Sequence, residues 1–277
     1  MAGSRIPPVT RFAPSPTGPL HLGHAFSALT VWERAEGGTA LLRIEDLDRS
    51  RARPEWEAQI FDDLHWLGLD WPLPVLRQSD RQPAYDAALE RLAPFTYPCR
   101  CTRADIRAAL NAPQEGATGP DGLIYPGTCR HRSMAEAGPE DAIRLDIAKT
   151  MTAPLSFTET GLHAGRHEVS ADHMIHKVGD VILSRRGMGA AYHLAVVVDD
   201  AFQGVTEAVR GVDLFDATPI HVLLARLLDL PPLLYHHHRL IRDDQGRRLA
   251  KRDDARALAT FRAEGATQQD IRRMVGL

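Results

Sequence analysis

Lysine is nearly missing from this 277-residue chain: of 33 basic residues, only Lys149, Lys177 and Lys251 are not arginine. Arginine therefore meets the general need for positive charge, and a lysine kept inside an arginine-rich stretch points to a site that requires a compact ammonium. Cysteine is as scarce. The three present, Cys99, Cys101 and Cys129, sit close together in sequence, which speaks against a disulfide-stapled scaffold and for a metal site. Apolar runs are short. Leu194 to Val198 and Val222 to Leu230 fall well below the ~20 residues of a membrane helix, and Met1 to Val9 holds no secretory apolar stretch. A cytoplasmic protein without a membrane span is expected. Charge of one sign is also lacking: the net value is -3, which excludes a uniformly basic surface but leaves room for a local patch. Residues 236–277, with ten Lys or Arg against six Asp or Glu, are the candidate phosphate-facing region.

What is present is a large apolar fraction, 44%, sufficient to fill a sizeable core. Ala40 to Ile44 and Leu194 to Val198 are apolar runs ended by acids, Glu45 and Asp46 in one case, Asp199 and Asp200 in the other. They read as buried parallel strands. Helical stretches at His24 to Ala35, Pro54 to Leu67 and Ala217 to Leu228 alternate with them, predicting an α/β fold: a Rossmann-like doubly wound parallel sheet with ligands at the strands' carboxyl ends. The first half of this catalytic domain is expected over 1–95 and the second over 191–235. Residues 96–190 break the rhythm with the cysteines and a Gly/Pro-rich stretch from Asn111 to Gly127, and are expected to form an inserted zinc-containing subdomain. A charged loop and short helices follow over 236–277.

The stretch Arg11-Phe-Ala-Pro-Ser-Pro-Thr-Gly-Pro-Leu-His21-Leu-Gly23-His24 delivers a helix N-terminus on a rigid loop, where backbone N–H groups and the helix dipole attract phosphate. His21 and His24 lie within one turn and can donate to phosphate oxygens, and Gly23 permits close approach of a nucleotide. An isolated H-x-G-H is more often a surface turn or a cap. With R-F-A-P-S-P-T-G before it, the segment resembles the signature of class I glutamyl-tRNA synthetases over fourteen residues.

That resemblance implies further roles. Arg248-Leu-Ala-Lys251-Arg252 occupies the place of the family's mobile KMSKS loop, with arginine for its first lysine and alanine for its serine. Lys251 would bring a point charge to the ATP phosphates. Arg11 and Arg210 match the arginines aimed at the substrate's side-chain carboxylate, Glu45 the carboxylate that holds its ammonium, and Ser15 and Tyr192 their hydrogen-bonding companions. Singly, each arginine is better read as a surface ion pair and Tyr192 as a half-buried core aromatic; together the five matches hold register across the chain. A guanidinium has no acceptor for a carboxamide nitrogen, which favours glutamate over glutamine.

Zinc takes four ligands in a closed structural site, and three thiols leave one place open. Tyr125-x3-Cys129 resembles the ligand pattern of the short glutamyl-Q branch, so the implied set is Cys99, Cys101, Tyr125 and Cys129; His131 is the alternative, as in the full-length enzymes. His236, His237 and His238 alternate faces in an extended segment and do not suit one shared ion; a loop leading to Lys251 is the expected role.

Only 26 residues follow Lys251, too few for the anticodon-reading domain of ordinary glutamyl-tRNA synthetases. The expectation is the short branch: a monomer that activates L-glutamate with ATP and Mg2+, without tRNA, and transfers it to queuosine in the anticodon loop of tRNA(Asp). A truncated synthetase charging the tRNA 3′ end, a small-molecule nucleotidyltransferase and a non-catalytic tRNA-binding relative are the rivals.

Overall fold

The structure, a computed structural model, describes residues 7–110, 118–120, 122–242 and 256–277. The chain runs through β1 (Val9–Phe12), α1 (Leu22–Arg34), β2 (Thr39–Ile44), α2 (Pro54–Trp66), β3 (Leu76–Arg77) and α3 (Gln82–Leu92). The three strands pair in parallel in that order. Helix α2 begins on Pro54, whose fixed φ and missing N–H suit a first turn, with Glu55 and Glu57 beside the positive end of the dipole. Phe12, Leu42 and Ile44 pack against Phe26 and Leu29 of α1 and Ile60 and Leu64 of α2, which fixes both helices over the sheet.

A second part follows: β4 (Thr96–Cys99), α4 (Arg103–Leu110), the short hairpin of β5 (Thr118–Gly119) and β6 (Gly122–Leu123), β7 (Ala142–Leu145) and α5 (Ile147–Thr150). Then come β8 (Leu155–Glu159), β9 (Gly165–Val169), α6 (Ala171–His173), β10 (Ile182–Arg185) and β11 (Gly189–Ala190). Strands β11, β10, β7 and β4 form an antiparallel sheet in that order. Helix α7 (Tyr192–Phe202), β12 (Glu207–Gly211), α8 (Thr218–Leu227), β13 (Leu234–His238), α9 (Leu258–Ala263) and α10 (Gln268–Val275) complete the chain. Strands β12, β13 and β8 are parallel, and β9 closes that sheet antiparallel to β8. The Thr206 N–H donates to the Val9 carbonyl at 2.8 Å, bringing the start of β12 beside the start of β1.

The fold is therefore α/β with mixed sheets. Two expectations are corrected. Leu194–Val198 is not a strand; it lies within α7, where Leu194, Ala195 and Val196 are almost fully buried. A helix apolar on nearly all sides has no amphipathic period, and its apolar run looks like that of a buried strand. His236–His238 is not a loop but the end of β13, between β12 and β8. Residues Leu155–Val169, inside the expected insertion, pair with β13, so the segment 96–190 is shared between two sheets. No helix among the described residues is long and apolar enough to cross a membrane.

Candidate active site

Strands β1, β2 and β12 end on one side of the molecule, and their carboxyl ends carry Arg11, Glu45 and Arg210 around a cavity of about 510 Å3. Ser15, His21, Gly23, His24 and Tyr192 line the same cavity. Two backbone bonds hold its rim. The Glu45 N–H donates to the Pro14 carbonyl at 3.0 Å, and the Arg53 N–H to Pro16 at 3.0 Å, tying the proline-rich loop to the end of β2 and the start of α2. Lys251 lies outside the described residues. The chain on its far side is fixed nonetheless: His21 forms an antiparallel bridge with Ala257, and the Leu258 N–H donates to Leu20 at 2.8 Å.

His21 is the N-cap of α1. Its Nδ1 accepts the Gly23 N–H at 3.1 Å, while Nδ1 of His24 accepts the His21 N–H at 3.1 Å. Both neutral rings therefore carry their proton on Nε2, the nitrogen that can donate to an anion. A Cβ on Gly23 would stand 2.9 Å from Cε1 of His21, so this glycine makes room for the histidine ring of its own cap.

The two arginines are held in different ways. Arg11 donates Nε–H to Asp200 Oδ1 at 2.8 Å and Nη1–H to the Val209 carbonyl at 3.2 Å. Asp200 also takes the fully buried Arg43, and although burial opposes its ionisation, the two guanidiniums hold its carboxyl below the usual range. Arg210, also buried, meets His221, His237 and Thr218, with no carboxylate at ion-pair distance among the described residues. Burial pushes Glu45 up to about 7 against the pull of Arg43 and Arg11. Burial likewise raises the Tyr192 phenol.

Sequence reasoning missed Asp200, His221 and His237. The acidic pair after the apolar run of α7 is a visible signal, but in the sequence it has the look of a strand's polar end. On the helix the two acids diverge: Asp199 takes the Tyr85 hydroxyl at 2.7 Å and Gln78 at 3.0 Å, and Asp200 pairs with Arg11 of the cavity wall and with Arg43 behind it.

Cys99, Cys101 and Cys129 converge away from this cavity, their sulfurs all within 4.8 Å of one another. The Tyr125 hydroxyl lies 3.4 Å from the sulfurs of both Cys99 and Cys101, and Cys101 and Cys129 are 3.6 Å apart. Those separations suit zinc, since a tetrahedron with Zn–S bonds of ~2.3 Å has an edge of about 3.8 Å. His131 is exposed and outside the cluster. As neutral groups the thiols and the buried phenol are within hydrogen-bond reach of one another, and a divalent cation would stabilise all four as anions.

The family of tRNA synthetases class I (E and Q), catalytic domain, matches residues 8–277. The chain belongs to this family. As a synthetase it is a ligase-type enzyme. It is 60% identical to the glutamyl-Q tRNA(Asp) synthetase of Rhodobacter capsulatus, over 97% of this chain and 100% of that protein. It is 45% identical to the one of Nocardia farcinica, over 94% and 81%. Among solved structures, a glutamate tRNA ligase from Elizabethkingia meningosepticum, in complex with its amino acid, superposes with a TM-score of 0.77 at 26% identity. The match takes in 98% of this synthetase and only 61% of that ligase.

Proposed function

We propose that this synthetase joins L-glutamate to ATP as glutamyl-adenylate and passes the glutamyl group to queuosine in the anticodon loop of tRNA(Asp). The observation that carries the glutamate assignment is Arg210: a buried cation on the cavity wall without an acidic partner among the described residues. A buried charge of this kind is stabilised by a counter-ion, and a side-chain carboxylate supplies one. Glu45 is the counterpart for the ammonium, with Arg11, Ser15 and Tyr192 lining the space between.

The first step needs no protein nucleophile. The glutamate α-carboxylate attacks the α-phosphate of ATP, an oxygen–phosphorus bond forms, and pyrophosphate leaves with its Mg2+. The Nε2–H groups of His21 and His24 donate to the phosphate oxygens as charge builds there, and Lys251 adds an ammonium. In the second step a hydroxyl of the modified base attacks the adenylate carbonyl and AMP leaves. Cys99, Cys101, Tyr125 and Cys129 would hold a Zn2+ that braces the insertion and takes no part in the chemistry.

The acceptor assignment rests on the names of the relatives, and one experiment tests it. The protein is incubated with ATP, labelled glutamate and tRNA(Asp) with or without queuosine. Label that requires queuosine and stays with the anticodon loop after nuclease release of the terminal adenosine is the expected result. Label at the terminal adenosine would assign the protein to 3′-end charging instead.

A further inference from the structure

A guanidinium has five donors and no acceptor, so a ring nitrogen hydrogen-bonded to it must offer a lone pair. Arg210 imposes this on two histidines. Its Nη1 lies 2.6 Å from Nδ1 of His221 and its Nε 3.2 Å from Nε2 of His237, while Nη2 donates to the Thr218 hydroxyl at 2.8 Å. The proton positions then follow in both directions. His221 must carry its proton on Nε2, which is 3.0 Å from Nδ1 of His193 and donates to it. His237 must carry its proton on Nδ1, whose nearest acidic oxygen is Oε1 of Glu159 at 3.4 Å. Glu159 is fixed in turn by the backbone N–H groups of Gly161, His163 and His237.

We propose that His221 and His237 are positioning residues: they hold the Arg210 guanidinium by neutral acceptors, so that its charge reaches the cavity uncancelled and selects an anionic over a neutral substrate end. This deepens the glutamate reading and rests on it. The contrast with Arg11 explains the use of imidazole. A carboxylate grips a guanidinium firmly, as Asp200 grips Arg11 and Arg43, but it offsets the charge that a substrate carboxylate would use. An imidazole satisfies the donors and adds no negative charge. The rings also stay neutral: burial first, then Arg210, holds His221 well below its ordinary value and His237 at about 3.

The test compares His221→Asp with His221→Asn, two side chains of nearly equal shape that differ in charge. ATP–pyrophosphate exchange is measured with glutamate, glutamine and ATP varied separately. The aspartate variant is expected to raise the glutamate KM at least ~10-fold over the asparagine variant, with the ATP KM unchanged and discrimination against glutamine reduced. Equal glutamate KM values in the two variants would overturn the proposal. Histidine-selective 15N NMR of the unmodified protein supplies a second readout that survives any folding defect in the variants. Unprotonated Nδ1 in His221 and Nε2 in His237 are expected down to pH 5, and a proton on either nitrogen overturns the neutral cradle. Absence of glutamate-dependent exchange in the unmodified protein would remove the glutamate reading, while the NMR result still decides the state of the rings.

Discussion

Arg11 and Arg43 donate to the same oxygen, Oδ1 of Asp200, so two cations of the first sheet share one acid from α7. Asp200→Asn would leave both guanidiniums facing an amide in the interior. A loss of about 3–5 kcal/mol in unfolding free energy is expected, read by urea denaturation. The sign of the pH effect follows from the lowered Asp200 value: its stabilisation is present above the ordinary carboxylate range and disappears on acidification. A variant as stable as the unmodified protein would mean that the arginines do not depend on this carboxylate.

Glu45 titrates in the opposite sense. Because burial raises it to about 7, the ligand-free cavity loses its negative charge below neutrality. Glutamate kcat/KM in the exchange assay should therefore rise with pH up to about 7 and then level off. Glu45's contribution to ligand-free stability is fully present below the ordinary glutamate value, ~4.3, and is lost as pH rises through about 7. Glu45→Gln should remove both dependences. A flat kcat/KM profile from pH 6 to pH 8 would exclude Glu45 as the ammonium partner.

Zinc content separates Tyr125 from His131 as fourth ligand. The purified protein is expected to hold about one zinc per chain, and chelation should lower its melting temperature. Tyr125→Phe should weaken metal retention at least ~10-fold in competition with a chromogenic chelator, while His131→Ala should leave it unchanged. The reverse pattern would hand the place to the histidine.

Lys251→Arg keeps the charge in a segment that already contains Arg247, Arg248 and Arg252. If a compact ammonium contacts the ATP phosphates, adenylate formation should slow by ~10–100-fold with little change in glutamate affinity. Rapid-quench measurement of the adenylate decides it. An unchanged rate would reduce the lysine to general positive field.

The features legible in sequence were those whose cause is local. Helices α1, α2 and α8 announce themselves by a cap or an early proline and by an apolar stripe, and β2 by a short apolar run ending in acids. The cavity residues on the H-x-G-H loop and at the end of β2 were legible for the same reason. What stayed hidden was set by pairing across the chain. His237 meets Arg210 because β12 and β13 place them opposite one another, though they stand 27 positions apart, and Glu159 arrives from β8, 78 positions from His237. Three adjacent histidines carry no mark that says which one faces an arginine. Nor does Leu194–Val198 reveal its helix, since burial on nearly every side erases the periodicity that would have separated the two structures.

The bridge from His21 to Ala257 gives the lysine segment a leash. Lys251 is six residues before Ala257, so at full extension of ~3.5 Å per residue its Cα lies within about 21 Å of that anchor. Ile241, on the other side of the segment, lines the cavity itself. Any contact of Lys251 with the cavity is thus intramolecular, its effective concentration bounded by chain length rather than set by encounter from solution. Inserting residues between Lys251 and Ala257 would lengthen that tether and dilute the cation without altering any contact of the cavity.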